Sequence, residues 1–509
     1  MDGGKEQQLE EQVSENMDSQ HAETRKKANN TQPISYLDEA AKKENLRSLP
    51  SASVHLLKKF FESKPVRKQS TNAPSSTSSS SSKELSTNDI LKTARERLLQ
   101  HNTQNLDMIS LAVGGLFAAD SGLPSEKNED LKLAILLQAA VLKFSNQQFD
   151  DARKLLSLCQ TFASITGNAL QRVVCYFSAA LQGRIFRDIG ELAPEAPAEG
   201  NQSMPTLEEA LTSFQPVVAV CQQEFPICQV AQFTAIQAIV DNVATAKRVH
   251  IVDLGIKSGS HWPIIMQALA GRHECRLELL KITAVGTPKE RIEETGKKLS
   301  SFAETMSIPF AFRLIVSDMK DLEEDFFELA ADEVLAVYSD MRLASLLSSP
   351  DHLESLMRTI TKLNPCVLVI TEIEANTNAP TFLDRFDAAL SISAAVFDCI
   401  EDCMDQENPG RALMGVFFWE MIQNIITTEG EERIHRYEKL DFWRAFLTRF
   451  GIVEIAMSDL ALCQLQLVVK TNPRWCSCTV ELNGKGLIIG WNGTPIKSLS
   501  VWKSQQDDG

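Results

Sequence analysis

The densest run of reactive side chains is His250, Asp253, Lys257 and Ser258, strung along RVHIVDLGIKSGSHW with Gly255 and Gly259 between them. An acid closing an apolar run, followed by a glycine turn, is how a nucleotide-binding unit begins. Glycine lets the backbone come close to a phosphate or coenzyme. Asp253-Leu254-Gly255-Ile256-Lys257-Ser258-Gly259 holds the first and third glycines of D-x-G-x-G-x-G, with Lys257 at the middle one. A coenzyme of this class also needs a carboxylate at the end of the next strand, for the ribose hydroxyls. That position reads Thr283-Ala284-Val285-Gly286. The turn therefore reads as structural, with binding of S-adenosylmethionine or a dinucleotide as the alternative.

Other candidate chemistry is thinner. Lys257 is not part of a G-K-[ST] phosphate loop, and no G-x-S-x-G elbow is present. His250 beside Asp253 reads as a hydrogen-bonded core histidine, with catalysis as its alternative. Cys399-x-x-x-Cys403 and Cys476-x-Cys478 lack a second ligand pair at zinc spacing, so no metal is expected. Glu372 and Glu374 close a strand-like run at the edge where α/β enzymes place function, yet two carboxylates are also ordinary ion-pair partners. Leu343-Ala344-Ser345-Leu346-Leu347 fits the L-x-x-L-L helix-in-groove pattern and reads as core.

Periodicity supplies the elements that position these residues. Val249–Leu254 is a short apolar, β-branched run suited to a buried central strand. Pro263 then fits the first turn of a helix. Further strands are expected over 277–285, 310–316, 334–337 and 366–372, with helices over 290–306 and 351–363 between them. Strand and helix alternating in this way predict an α/β fold with a Rossmann-like, mostly parallel sheet and helices on both faces. Amphipathic helices over 131–144, 149–166 and 170–186 predict a helical cap. Helices are also expected over 233–243, 382–397, 411–426 and 441–450. C-terminal runs at 463–470, 479–482, 487–491 and 497–501 predict added antiparallel strands.

Composition limits the function classes. The 509 residues carry a formal charge of −16, which opposes general contact with a phosphate backbone. Direct nucleic-acid binding is therefore not expected. The N-terminus lacks an apolar signal region and no run is long enough to span a bilayer, so membrane insertion is not expected. Eleven cysteines in such a chain read as reduced intracellular thiols. Residues 1–88 are polar, with a serine tract over 70–82, and read as disordered. Lys58, Lys59, Lys64, Arg67 and Lys68 form a loose basic cluster there, read as a solvated linker or an import signal. The division expected is 1–88, then 89–215 as mainly helical cap and 216–509 as α/β core.

The ordered set of motifs resembles the plant GRAS family of transcriptional regulators. Val249-His250-Ile251-Val252-Asp253, Gly255 and Trp262-Pro263 are similar to its VHIID region. Pro365, Glu372, Glu374, Phe382, Asp384, Arg385 and Phe386 are similar to its PFYRE region. Trp491 with Ser500-Val501-Trp502 is similar to its SAW motif. The body looks like the DELLA branch, but the N-terminal DELLA sequence is missing, and His435 stands where the family commonly has Glu. The resemblance implies a nuclear, non-enzymatic protein without a cofactor. It would act through DNA-binding transcription factors and other GRAS proteins in hormone, developmental or symbiotic signalling. An S-adenosylmethionine-dependent methyltransferase-like enzyme is the alternative. For a coregulator, the helical cap and the leucine-rich faces either side of the central turn would form the docking surface.

Overall fold

The computed structural model describes residues 85–100, 125–190 and 225–505, together with Gln32–Pro33. The serine tract and the basic cluster lie outside the described residues.

The strands are β1 (Gln32–Pro33), β2 (Arg248–Asp253), β3 (Leu279–Val285), β4 (Phe310–Ile315), β5 (Val334–Asp340), β6 (Val367–Ile373), β7 (Ile452–Ile455), β8 (Cys478–Asn483), β9 (Gly486–Trp491) and β10 (Thr494–Ser504). One sheet holds them in the order β1-β8-β9-β10-β6-β5-β2-β3-β4, with β7 paired to β10. From β6 to β4 every pairing is parallel, and from β10 outward every pairing is antiparallel. The chain starts mid-sheet at β2, moves outward to β4, then returns to β5 on the other side. The order therefore reverses between β2 and β5, and this switch point is where doubly wound sheets open a crevice at their strand ends. The sheet is α/β and Rossmann-like, with the expected C-terminal strands added.

Twelve α-helices accompany the sheet among the described residues: α1 (Thr87–Gln100), α2 (Ser125–Ser145), α3 (Phe149–Phe162), α4 (Ala169–Ile189), α5 (Pro226–Asn242), α6 (Trp262–Ala270), α7 (Lys289–Thr305), α8 (Pro350–Leu363), α9 (Phe382–Cys403), α10 (Pro409–Thr427), α11 (Leu440–Thr448) and α12 (Asp459–Thr471). Local chemistry sets their ends. Asn168 Oδ1 accepts from Gln171 N while the Gln171 side chain accepts from Asn168 N, a reciprocal cap, and Gly190 closes α4 at φ 71°. The run 463–470, expected as a strand, is helix α12. Ser458 caps it by accepting from Ala461 N at 3.0 Å, and Ala461, Leu465 and Val468 form a buried stripe at helical spacing. Four-residue β7, just before it, was not expected.

The cap is not closed on itself. α4 packs on α9 and α10, which come from the far side of the sequence. Phe144 meets Phe382 with ring centroids 4.9 Å apart, and Phe177 meets Phe386 edge-on at 5.2 Å. Cap and sheet therefore share one apolar core.

Candidate functional site

The residues picked out by the glycine turn converge at the C-terminal ends of β2, β5 and β6. Asp253 closes β2 and is 3% exposed. Its Oδ2 accepts from Trp262 Nε1 at 2.9 Å. Trp262 lies in the first turn of α6 and is fully buried, edge-on to Tyr338 of β5. His261 Nε2 stands 4.0 Å from the same Asp253 oxygen. Burial pushes the Asp253 carboxyl up to about 7, against the Trp262 hydrogen bond, and pushes His261 down to about 4. The carboxylate therefore charges only above a pH at which the imidazole is already neutral. Between about pH 4 and 7 the two are therefore a packed neutral pair.

The full charge at this edge belongs to Asp340, at the end of β5. Lys497 Nζ donates to its Oδ1 at 2.6 Å, Lys257 Nζ to its Oδ2 at 3.0 Å, and Thr371 Oγ1 to its Oδ1 at 2.6 Å. Burial alone would raise the Asp340 carboxyl, but the two ammonium groups outweigh it and hold it well below the usual range. Lys497, on β10, is itself held up by Asp340 against its own burial. Glu372 on β6 accepts from Leu343 N at 2.8 Å, and burial pushes it up to about 7.

Arg342 lies against the glycine turn. Gly255 has φ +123°, and a Cβ added there would lie 2.4 Å from Arg342 Nε and 2.7 Å from its Cδ. The bare backbone that a coenzyme would approach is thus covered by this chain's own arginine. Lys257, standing at the middle glycine, is tied to Asp340 across the mouth of the crevice. The end of β3 offers Thr283, whose Oγ1 lies 2.7 Å from His250 Nε2 inside the core. His250 is a core residue. Its Nδ1 sits 3.1 Å from Glu333, which Lys281 also meets at 3.1 Å. Burial, then Lys281, lowers the imidazole to about 4.

The remaining motif residues hold elements together. Val249, Ile251 and Val252 are buried on β2, and Pro263 stands in the first turn of α6. Pro365 follows Asn364, which ends α8 in the left-handed region. Glu374 accepts from Leu440 N at 3.0 Å, at the start of α11. Thr381 Oγ1 caps α9 by accepting from Asp384 N. Arg385 donates to the carbonyls of Ala379 and Pro380 and to Glu429. Trp491 Nε1 donates to Asp402 at 3.1 Å and Trp502 Nε1 to Ser500 Oγ at 2.8 Å, and Val501 is opposite Val369 on β6. Leu343 and Leu347 are buried, as a core reading of L-x-x-L-L requires. Cys399, Cys403 and Cys478 are buried thiols, and burial raises Cys478 to about 12. His435 has its Nδ1 2.7 Å from Tyr437 Oη and, lowered to about 4 by burial, is neutral.

The helical cap was expected to form a docking surface together with the leucine-rich faces either side of the central turn. Within the cap, Leu133, Leu137, Leu155, Leu156 and Leu181 are buried among the helices and serve its core. Asp340, Arg342, Lys497 and Glu333 were not singled out from sequence. Lys497 lies far along the chain from the turn, and only the antiparallel docking of β10 on β6 brings it to Asp340. Glu372 was placed at this edge, together with Glu374, by its strand-end position.

The model of the GRAS domain family matches residues 133–503. The chain is 32% identical over 389 residues to the DELLA protein RGL3 of Arabidopsis thaliana, covering 75% of this chain and 70% of that protein. It is 29% identical over 426 residues to the DELLA protein GAI1 of Vitis vinifera, covering 80% and 68%. The crystal structure of SCL7 from Oryza sativa superposes with TM-score 0.61 at 26% identity, covering 69% of this chain and 94% of that one.

Proposed function

The chain belongs to the GRAS domain family of plant regulators, and from that premise we propose that it is a nuclear transcriptional coregulator that works by binding other proteins. Its partners are DNA-binding transcription factors and further GRAS proteins, and it catalyses no reaction of its own. The observation that carries this reading is the filled switch point. Arg342 lies on Gly255, while Asp340 is neutralised by Lys257 and Lys497, so the crevice a coenzyme would use is packed with this chain's own side chains. The net charge of −16 fits a protein that leaves phosphate contact to its partners. Among the described residues no helix is long and apolar enough to cross a membrane. The separation into a mainly helical 89–215 and an α/β 216–509 is part of the same proposal, with α9 and α10 bridging the two.

Two measurements test it. Calorimetric titration of the purified chain with S-adenosylmethionine is expected to give no saturable heat; stoichiometric binding that G255A abolishes would favour the methyltransferase-like alternative. Tagged protein in plant cells is expected in the nucleus, co-purifying with DNA-binding factors. A wholly cytoplasmic protein with no such factors attached would refute the coregulator reading.

A further inference from the structure

Among the described residues the sheet ends at β4, and no strand pairs with its outer side. Leu280 N donates to Pro309 O and Gly286 N donates to Ile315 O. In a parallel pair both backbone groups of one residue point to the same side, and the sides alternate along the strand. The odd-numbered residues of β4 therefore face β3. The N–H and C=O groups of Phe310, Phe312 and Leu314 face away from the sheet, and among the described residues nothing is bonded to them. Natural sheets blunt such an edge with lysine, proline or a bulge. β4 reads FAFRLI and is half-buried along most of its length.

Beside this edge runs a groove of about 700 Å³ between β4 and α7, lined by Glu293, Gly296, Lys297, Glu304, Phe312 and Leu314. Its shape depends on Gly296. A Cβ there would lie 2.4 Å from the Phe312 ring, so the ring rests on bare helix backbone and the groove keeps an apolar floor. An open strand edge beside a helix is the geometry in which an extended peptide adds a strand. The backbone bonds give affinity, and the groove reads alternate side chains.

We propose that the β4 edge and the α7 groove bind an extended segment of a partner protein, with apolar residues at alternate positions and a basic residue at each end. Charge decides the ends. Glu293 and Glu304 stand eleven positions apart on α7, which is about 16 Å of helix, the length of about five residues of strand. Among the described residues Glu304 has no cationic partner, and Glu293 has only exposed Lys289 at 3.5 Å. Lys297 between them lines the groove with its aliphatic stem. The proposal rests on the reading that this chain acts through protein partners, and it assigns one surface to that role.

The test uses the full chain and a labelled probe, Lys-Thr-Val-Thr-Val-Thr-Lys, read by fluorescence anisotropy at low salt. Saturable binding is expected. Leu314→Pro removes one outward N–H and leaves the ladder to β3 intact, and should weaken binding at least tenfold. The exposed double change E293K with E304K should do the same, and should reverse the preference in favour of a probe with Glu in place of both Lys. That second variant keeps the test decisive if L314P melts early. No binding, or binding indifferent to the charge reversal, overturns the proposal. So does a wild-type dimer that L314P converts to monomer, because the edge would then belong to a second copy. Nuclear localisation and co-purification with transcription factors would survive any of these failures, so the two readings fall separately.

Discussion

Changing Asp253 to Asn removes the charge of the most distinctive acid in the chain and keeps its shape, and the structure says that the fold should gain by it at neutral pH. Asp253 is buried, its Oδ2 accepts one hydrogen bond from Trp262, and an asparagine oxygen can accept the same bond. Its carboxyl is moved from an ordinary 3.8 to about 7. A raised acid binds its proton more tightly in the folded state, so stability falls as pH rises from about 4 to about 7, by about 1.4 kcal/mol per unit. Over that window the wild type loses about 4 kcal/mol that D253N keeps. Urea unfolding of both proteins at pH 4, 5, 6, 7 and 8 measures the difference directly, because other titrating groups cancel. Near pH 4 the two should be within about 1 kcal/mol, and above pH 7 D253N should be the more stable. If D253N instead becomes progressively less stable than wild type as pH rises, the carboxylate is ionised and paired in the fold, and the neutral-pair account of Asp253 and His261 is wrong.

Gly255→Ala should destabilise by about 1–3 kcal/mol from backbone strain at φ +123° alone, and more from the clash with Arg342; adding R342A should return only the clash, which a double-mutant cycle will show. Lys497→Met leaves Asp340 with Lys257 and Thr371 only, and should cost about 3 kcal/mol; the double change D340N with K497M should recover much of it in urea melts. Gly296→Ala gains about 1 kcal/mol of helix propensity but overpacks Phe312; a net loss of about 1 kcal/mol is expected, reversed in sign when F312A is added.

Much of the architecture was legible because period and composition agree along it. β2 and β6 are buried on both faces and so read as apolar runs, and the cap helices carry broad leucine stripes with caps such as Asn168. The 463–470 run failed because CQLQLVVK alternates polar and apolar residues, which mimics a strand. The deciding signal, Ser458 three residues before Ala461 N, sits outside the run. The candidate site was legible only in part. Asp253, Gly255 and Lys257 announce themselves by spacing, but their partners Asp340, Arg342 and Lys497 arrive from β5, the segment just after it and β10, and sequence spacing carries no record of a contact across strands. The nucleotide-style turn stands beside a β3 end without a ribose-binding acid, and Arg342 lies over Gly255 of that turn.

Most of the motif residues set out from the sequence are out of a partner's reach, although Asp384 is exposed. Val249, Ile251, Asp253, Trp262, Glu372, Arg385, Phe386, Trp491, Ser500, Val501 and Trp502 are all buried. They fix β2 to α6, α9 to the loop before it, and β10 to β6. Such residues secure one scaffold, and they cannot by themselves tell one binding partner from another. On the coregulator reading proposed above, selectivity would lie on the outer faces of the cap helices and at exposed edges such as β4. Replacing a buried aromatic motif residue, such as Trp262 or Phe386, by alanine should remove every interaction together with the fold. A change confined to an outer face or to the β4 edge should remove one interaction and spare the rest.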